Sequence, residues 1–230
     1  LPMFEDLLAL LFPETCYGCD KALGKGEKCI CTDCSIKLPY TNFHQNDLHE
    51  LNPLERRFWG KVPVKYAFSY LHFESKGRVQ RLLHRLKYKG AQDLGEHIGK
   101  QYGYQLAEHK YNLQFDLIVP VPLHKIKLRK RGYNQSDCFA TGLAEAMQLP
   151  WNAKALARTT YTSTQTSKTR FDRWQNVEQV FMVNLPDEVK DKRVLLVDDV
   201  LTTGATLEAC AVALLDAGAA EVSIATIAAA

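Results

Sequence analysis

Val194-Leu195-Leu196-Val197-Asp198-Asp199-Val200-Leu201-Thr202-Thr203-Gly204-Ala205-Thr206 is the stretch whose reading decides the fold. Its four leading apolar residues show no polar alternation, as in a strand covered on both faces, and that pattern marks a parallel sheet. The strand is expected over Lys192 to Val197, with two carboxylates at its C-terminal end. A Thr-Thr-Gly-Ala-Thr turn follows. A helix expected over Leu207 to Ala217 comes next and is closed by Gly218, a suitable residue just past a helix end. In open α/β sheets, ligands lie outside the carboxyl ends of the strands.

The two parts of this stretch ask for different chemistry. A helix N-terminus offers unpaired N–H groups and a partial positive charge, which suit a phosphate. Gly204 lets the backbone approach an anion without a Cβ in the way. Thr202, Thr203 and Thr206 add hydroxyl donors, with Ala205 between them. Asp198 and Asp199 repel a bare phosphate but accept from hydroxyl groups or hold a metal. A ligand with a phosphate at one end and vicinal hydroxyls beside it meets both demands, and ribose 5-phosphate is such a ligand. The blander reading is an Asp-Asp turn before a Thr-capped helix. That reading suits the fragments better than the whole string.

Outward from this segment the text alternates strand and helix patterns. Val64 to Phe73 and Leu117 to Val121 read as strands, and Val222 to Ile227 as the last one. Arg78 to Tyr88 reads as a helix, because Val79, Leu82, Leu83 and Leu86 recur at helical spacing. Further helices are expected over Asp93 to His109 and Gln135 to Met147. The alternation predicts an α/β domain, a parallel sheet with helices on both faces, over residues 61–230. Residues 1–60 hold five of the seven cysteines and little strand pattern, and read as a small N-terminal module.

The chain has 230 residues, 46% of them apolar, which excludes global disorder. Its formal charge of +3 is too small to imply nucleic-acid binding by itself. No stretch approaches the roughly 18–20 apolar residues of a spanning helix, so no membrane insertion is expected. Leu1 to Phe12 carries Glu5 and Asp6 and no basic lead, so it reads as an amphipathic helix and not a signal peptide. A first residue of Leu suggests a trimmed start.

Cys16-x2-Cys19 and Cys31-x2-Cys34 form paired C-x2-C motifs with eleven residues between them. Each motif turns two thiolates toward one ion, and two complete a tetrahedron, the pattern of a closed structural zinc site. Cys29 leaves the ligand count ambiguous. Cys138 and Cys210 fall on apolar helix faces and read as core.

Three segments are locally basic. The first is the 78–88 helix and its flanks, with Lys76, Arg78, Arg81, Arg85, Lys87 and Lys89. The second is Lys125 to Arg131, which follows Pro120-Val121-Pro122-Leu123-His124. The third is the Thr/Ser-rich stretch near Arg158, Lys168, Arg170 and Arg173, which reads as a loop able to close over a site. Solvated faces commonly carry such charges, but three runs in a chain of +3 imply a polarised surface.

The 197–206 string resembles the PRPP (phosphoribosyl pyrophosphate) motif of type I phosphoribosyltransferases. The resemblance implies that Asp198 and Asp199 bind the ribose 2′ and 3′ hydroxyls, that Thr202 to Thr206 cradle the 5-phosphate, and that magnesium accompanies the pyrophosphate. Lys125, Arg129, Arg131, Lys168 and Arg170 are the cationic candidates for the pyrophosphate.

The order of motifs narrows this resemblance. The four-Cys finger precedes Leu86-Lys87-Tyr88-Lys89-Gly90, Val119-Pro120-Val121-Pro122-Leu123, Arg131-Gly132-Tyr133-Asn134-Gln135, Arg158-Thr159, Gln165-Thr166, then Arg170, Arg173 and Asn176. Together with the PRPP motif this order resembles the ComF family of competence proteins. The family implies a cytoplasmic bacterial protein with zinc, linked to natural transformation and the handling of single-stranded DNA. Arg81, Arg85, Lys87, Tyr88, Lys130, Arg131 and Tyr133 are the candidate DNA contacts. A competence helicase or recombination protein is a conceivable partner. The expected function is therefore binding of PRPP and single-stranded DNA. The alternative is an active phosphoribosyltransferase with an acceptor the sequence does not name. Residues 41–59 match no motif.

Overall fold

The computed structural model describes residues 13–45, 52–158 and 180–230. The expected helix over Leu1 to Phe12 lies outside them, as do Lys168 and Arg170.

Four strands form one parallel sheet: β1 (Val64–His72), β2 (Leu117–Pro120), β5 (Arg193–Leu201) and β6 (Glu221–Ala229), in the order β1-β6-β5-β2. β5 is interior and pairs on both sides. Its residues alternate between two cores. Leu195 and Val197 join Ile118, Ala225 and Ile227 under α2 (Arg78–Tyr88), α3 (Gln92–Glu108) and α5 (Gln135–Met147). Val194 and Leu196 join Val119, Val222 and Ile224 under α7 (Ala205–Asp216). Helices thus cover both faces, which is why β5 carries no polar alternation. Cys138 and Cys210 are buried, one in each layer. A two-stranded antiparallel pair, β3 (Leu156–Arg158) with β4 (Phe181–Val183), packs Leu156 and Phe181 into the α7 layer.

The sequence ended this strand too early. The ladder to β6 continues through Asp198 opposite Thr226, Val200 opposite Ala228 and Leu201 opposite Ala229. Val200 and Leu201 find apolar neighbours in opposite layers, so the strand runs on beyond the carboxylates. The basic segment Lys125–Arg131, for which the sequence suggests no element, is a helix, α4. The His124 ring accepts from the Ile126 N–H at 3.3 Å and caps it.

α3 and α5 pack at very short range. Gly95, Gly99 and Gly103 recur every fourth residue on α3, facing Cys138, Gly142 and Ala146 of α5 in turn. A Cβ at Gly99 would lie 2.3 Å from the Phe139 carbonyl oxygen, and one at Gly142 only 2.1 Å from that of Glu96. These contacts are to backbone, so no side-chain rotation relieves them. Gly142→Ala is expected to lower unfolding free energy by about 3 kcal/mol, read from urea midpoints. A loss under about 0.5 kcal/mol would mean that the helices separate freely.

The cysteine-bearing segment docks on this body. Its chain passes β1, where the His72 N–H donates to the Pro39 carbonyl at 2.8 Å and the Thr41 N–H to that of Tyr70 at 3.1 Å. Arg85 pairs with Asp20 and lies over the Tyr17 ring at 5.6 Å. The Tyr17 hydroxyl donates to Asp93 at 3.1 Å. No described helix is long and apolar enough to cross a membrane.

Candidate functional site

Parallel pairing brings the C-terminal ends of β2 and β5 side by side, and the Val121 N–H donates to the Val197 carbonyl at 2.8 Å. The chain leaving β2 and the carboxylates of β5 therefore share one edge of the sheet. Asn134 joins α5 to this edge. Its amide donates to the Val121 carbonyl at 3.0 Å and to Asp137 at 2.7 Å, while its oxygen caps the Ser136 N–H at 3.4 Å.

Ser136, in the first turn of α5, donates its hydroxyl to Asp198 at 2.9 Å. The Asp199 N–H donates to the same Asp198 oxygen at 2.8 Å. Lys87, from the last turn of α2, pairs with Asp199 at 3.0 Å. Burial raises the Asp198 carboxyl to about 7, helped by the Asp199 charge and opposed by these two donors and by Lys87. Once ionised, this group accepts from a hydroxyl. Burial likewise lifts Asp137 to about 6, against its bond from Asn134.

The turn after β5 is shorter than the sequence predicts, because the strand runs to Leu201 and the next helix starts two residues before Leu207. Gly204 has φ +85°, a conformation that favours glycine, and α7 begins at Ala205. Thr202, Thr203, Ala205 and Thr206 are exposed, whereas Gly204 is buried against Phe58. The Ala205 N–H reaches the Thr203 hydroxyl at the long distance of 3.5 Å.

The basic candidates divide into groups. Lys87 belongs to the carboxylate pair. Arg85 belongs to the junction with the cysteine segment. The Tyr133 hydroxyl donates to the Leu86 carbonyl at the end of α2, and its ring packs on the core, so it anchors that helix. Arg131 lies over the Tyr88 ring at 5.2 Å and donates to Gln135. Lys125, Arg129 and Lys130 are exposed on α4. Arg81 lines a groove of about 610 Å³ together with Tyr17, Lys76, His84 and Lys89.

At the cysteine cluster, the four Sγ atoms of Cys16, Cys19, Cys31 and Cys34 lie within 4.8 Å of one another. The Cys19–Cys31 separation is 3.7 Å. Zinc–sulfur bonds of about 2.3 Å in a tetrahedron require an edge of about 3.8 Å. The Cys31 and Gly18 N–H groups donate to Cys16 Sγ at 3.2 and 3.3 Å, as suits a thiolate. Burial pushes the Cys16 thiol up, but amide donors from Cys31, Gly18 and Cys19 outweigh it and hold it at about 7. The set fits zinc. Cys29 is apart, with φ +61° and its thiol directed to Asp93 at 3.4 Å. Burial, then the Asp93 charge, pushes Cys29 up to about 12, and its Sγ is not among the four that cluster within 4.8 Å.

Ser136 and Asn134 were not assigned roles from sequence. Their signal is an Asn-Gln-Ser start to an apolar helix, which reads as a cap and does not reveal that the second donor reaches Asp198.

The phosphoribosyl transferase domain family matches residues 139–230. Competence protein F of Haemophilus influenzae is 28% identical over 219 residues, covering 91% of this chain and 87% of its own. DNA utilization protein YhgH of Escherichia coli K12 is 29% identical over 230 residues, covering 94% of this chain and 96% of its own. Among solved structures, the allosteric regulatory enzyme of purine biosynthesis aligns with 62% of this chain and 29% of its own, at a TM-score of 0.43 and 24% identity.

Proposed function

We propose, for a chain that belongs to the ComF family of competence proteins and carries a phosphoribosyl transferase domain, that it binds PRPP at the end of β5 and single-stranded DNA on a separate basic surface. The observation that carries the first half is the junction of the Asp198–Asp199 pair with the Thr202–Thr206 turn on one sheet edge. The ribose hydroxyls donate to the carboxylates, and the 5-phosphate accepts from the turn and the start of α7. The pyrophosphate lies toward the chain after β2, near the cations of α4. Among the described residues, only the four cysteines form a metal-ligating group of three or more His, Cys, Asp or Glu side chains. Magnesium therefore depends on pyrophosphate oxygens and water beside one or two carboxylates, its usual habit.

The groove between the cysteine segment and α2 supports the second half. Lys76, Arg81 and Lys89 line it with no acidic residue, and Tyr17 forms one wall. Cations and an aromatic wall suit a single strand. The names of the relatives, competence protein F and DNA utilization protein YhgH, agree with a role in handling DNA. Lys87 is left to the ribose pocket, and the two ligands occupy different places.

Titration of PRPP and of a single-stranded oligonucleotide, separately and together, tests this. Each should bind, the DNA affinity should fall steeply with salt, and saturating PRPP should change it less than about threefold. Full competition would mean one shared surface. Release of pyrophosphate from PRPP with a panel of acceptors separates a transferase from a binding protein.

A further inference from the structure

Arg57 lies in the stretch that matches no motif and outside the matched domain. Its guanidinium donates to the Thr202 carbonyl at 2.7 Å and to the Ala230 carbonyl. The next residue, Phe58, is buried, and a Cβ at Gly204 would lie 3.4 Å from its ring. Both residues belong to a single 3-10 turn, Glu55–Phe58. That turn is fastened to β1. The Asn52 amide donates to the Ala67 carbonyl at 3.0 Å, and its oxygen accepts from the Leu54 N–H at 2.9 Å and the Glu55 N–H at 3.1 Å. Glu55 accepts in return from the Asn52 N–H at 3.1 Å.

We infer that Arg57 is a positioning residue for the phosphate turn, and that residues 52–62 are the rear wall of the pocket. The inference rests on the ribose-phosphate reading above. The Thr202–Thr203 peptide is trans, so its C=O and N–H point in opposite directions. With the Thr202 carbonyl held by Arg57, the Thr203 N–H is turned away from Arg57, on a stretch whose side chains are exposed. Arg57 thus fixes which way this amide donates without touching the ligand. Phe58 packs behind Gly204, whose φ of +85° favours glycine at that point of the turn. Two carbonyls from different strand ends suit a planar guanidinium fork and not a single ammonium.

The test measures dissociation constants for PRPP, ribose 5-phosphate and pyrophosphate, with magnesium, on the zinc-loaded full chain. Arg57→Ala should weaken PRPP and ribose 5-phosphate about tenfold or more, the usual effect of losing a charged hydrogen bond. Pyrophosphate affinity should stay within about twofold, because that group binds elsewhere; a merely structural loss weakens all three ligands. Arg57→Lys should recover only part of the affinity, and exposed Arg56→Ala should change nothing. If Arg57→Ala does not fold, Arg57→Lys decides: parental affinity for ribose 5-phosphate overturns the role. A parent that binds PRPP beside an Arg57→Ala that binds it equally overturns this inference alone. A parent that binds neither PRPP nor ribose 5-phosphate overturns the reading beneath it as well.

Discussion

Replacing both carboxylates, Asp198→Asn with Asp199→Asn, is expected to weaken PRPP by about 100-fold or more and to make the folded chain more stable above neutral pH. The affinity loss follows from removing two charged acceptors of ribose hydroxyls, each worth about 1.5–3 kcal/mol. Pyrophosphate should not weaken in parallel, because Lys87 loses its carboxylate partner and is left as a free cation beside the pocket. The stability gain has a defined pH course. Asp198 has a folded pKa of about 7, above the ordinary value near 4. The folded state therefore resists ionisation, and the parent loses stability as pH rises from about 4 to about 7, after which the penalty is constant. An amide at 198 has no such penalty. The variant's advantage should be absent near pH 4 and reach about 2 kcal/mol at pH 8, measured by urea unfolding at both values. An advantage that is the same at both would show that Asp198 is not held back from ionising. The same pKa predicts that PRPP binds more tightly to the parent as pH passes from 6 to 8.

Removing zinc from the four-cysteine site that fits it should have an effect as large, confined to that segment and the groove it walls. The residues around Cys16, Cys19, Cys31 and Cys34 have a small apolar cluster, made of the cysteines with Leu23 and Ile30. A core of that size does not fold alone, and apparent zinc binding in such sites supplies about 10 kcal/mol or more. Chelation should release one zinc per chain and expose the amides of this segment to hydrogen exchange. Tyr17 and Asp20 then leave Arg85, and the groove loses its wall. DNA affinity should drop about tenfold or more, while PRPP affinity stays within about twofold. Cys16→Ser should reproduce this, and Cys29→Ser should keep one zinc. Zinc loss with Cys29→Ser would place the fifth cysteine among the ligands, contrary to its contact with Asp93.

The start of the strand, the acidic pair and the glycine turn were legible because each depends on local rules: an unbroken apolar run, carboxylates at its end, and a glycine before a helix start; the positive φ at Gly204 and the strand's continuation to Leu201 were not. The grouping of Cys16, Cys19, Cys31 and Cys34 was legible by spacing. Cys29 was not, since what excludes it is a partner 64 positions away in sequence. Lys87 read as a candidate DNA contact because it flanks the apolar face of α2, one turn beyond Leu83. Only the packing of α2 against the sheet brings it to Asp199. Arg57 left no trace in the text, because its partners are backbone carbonyls, and any residue supplies those. The helix over Lys125–Arg131 was hidden by its charge, since α4 buries no residue.

The central claim is that a ribose phosphate occupies the end of β5. Amide NMR of the zinc-loaded chain during PRPP titration tests it residue by residue. Saturable shifts are expected at Asp199, Thr203, Gly204, Ala205 and Thr206, with little change at Arg81, His84 and Lys89. Shifts centred on the groove beside α2, or none at about 1 mM PRPP, would contradict it.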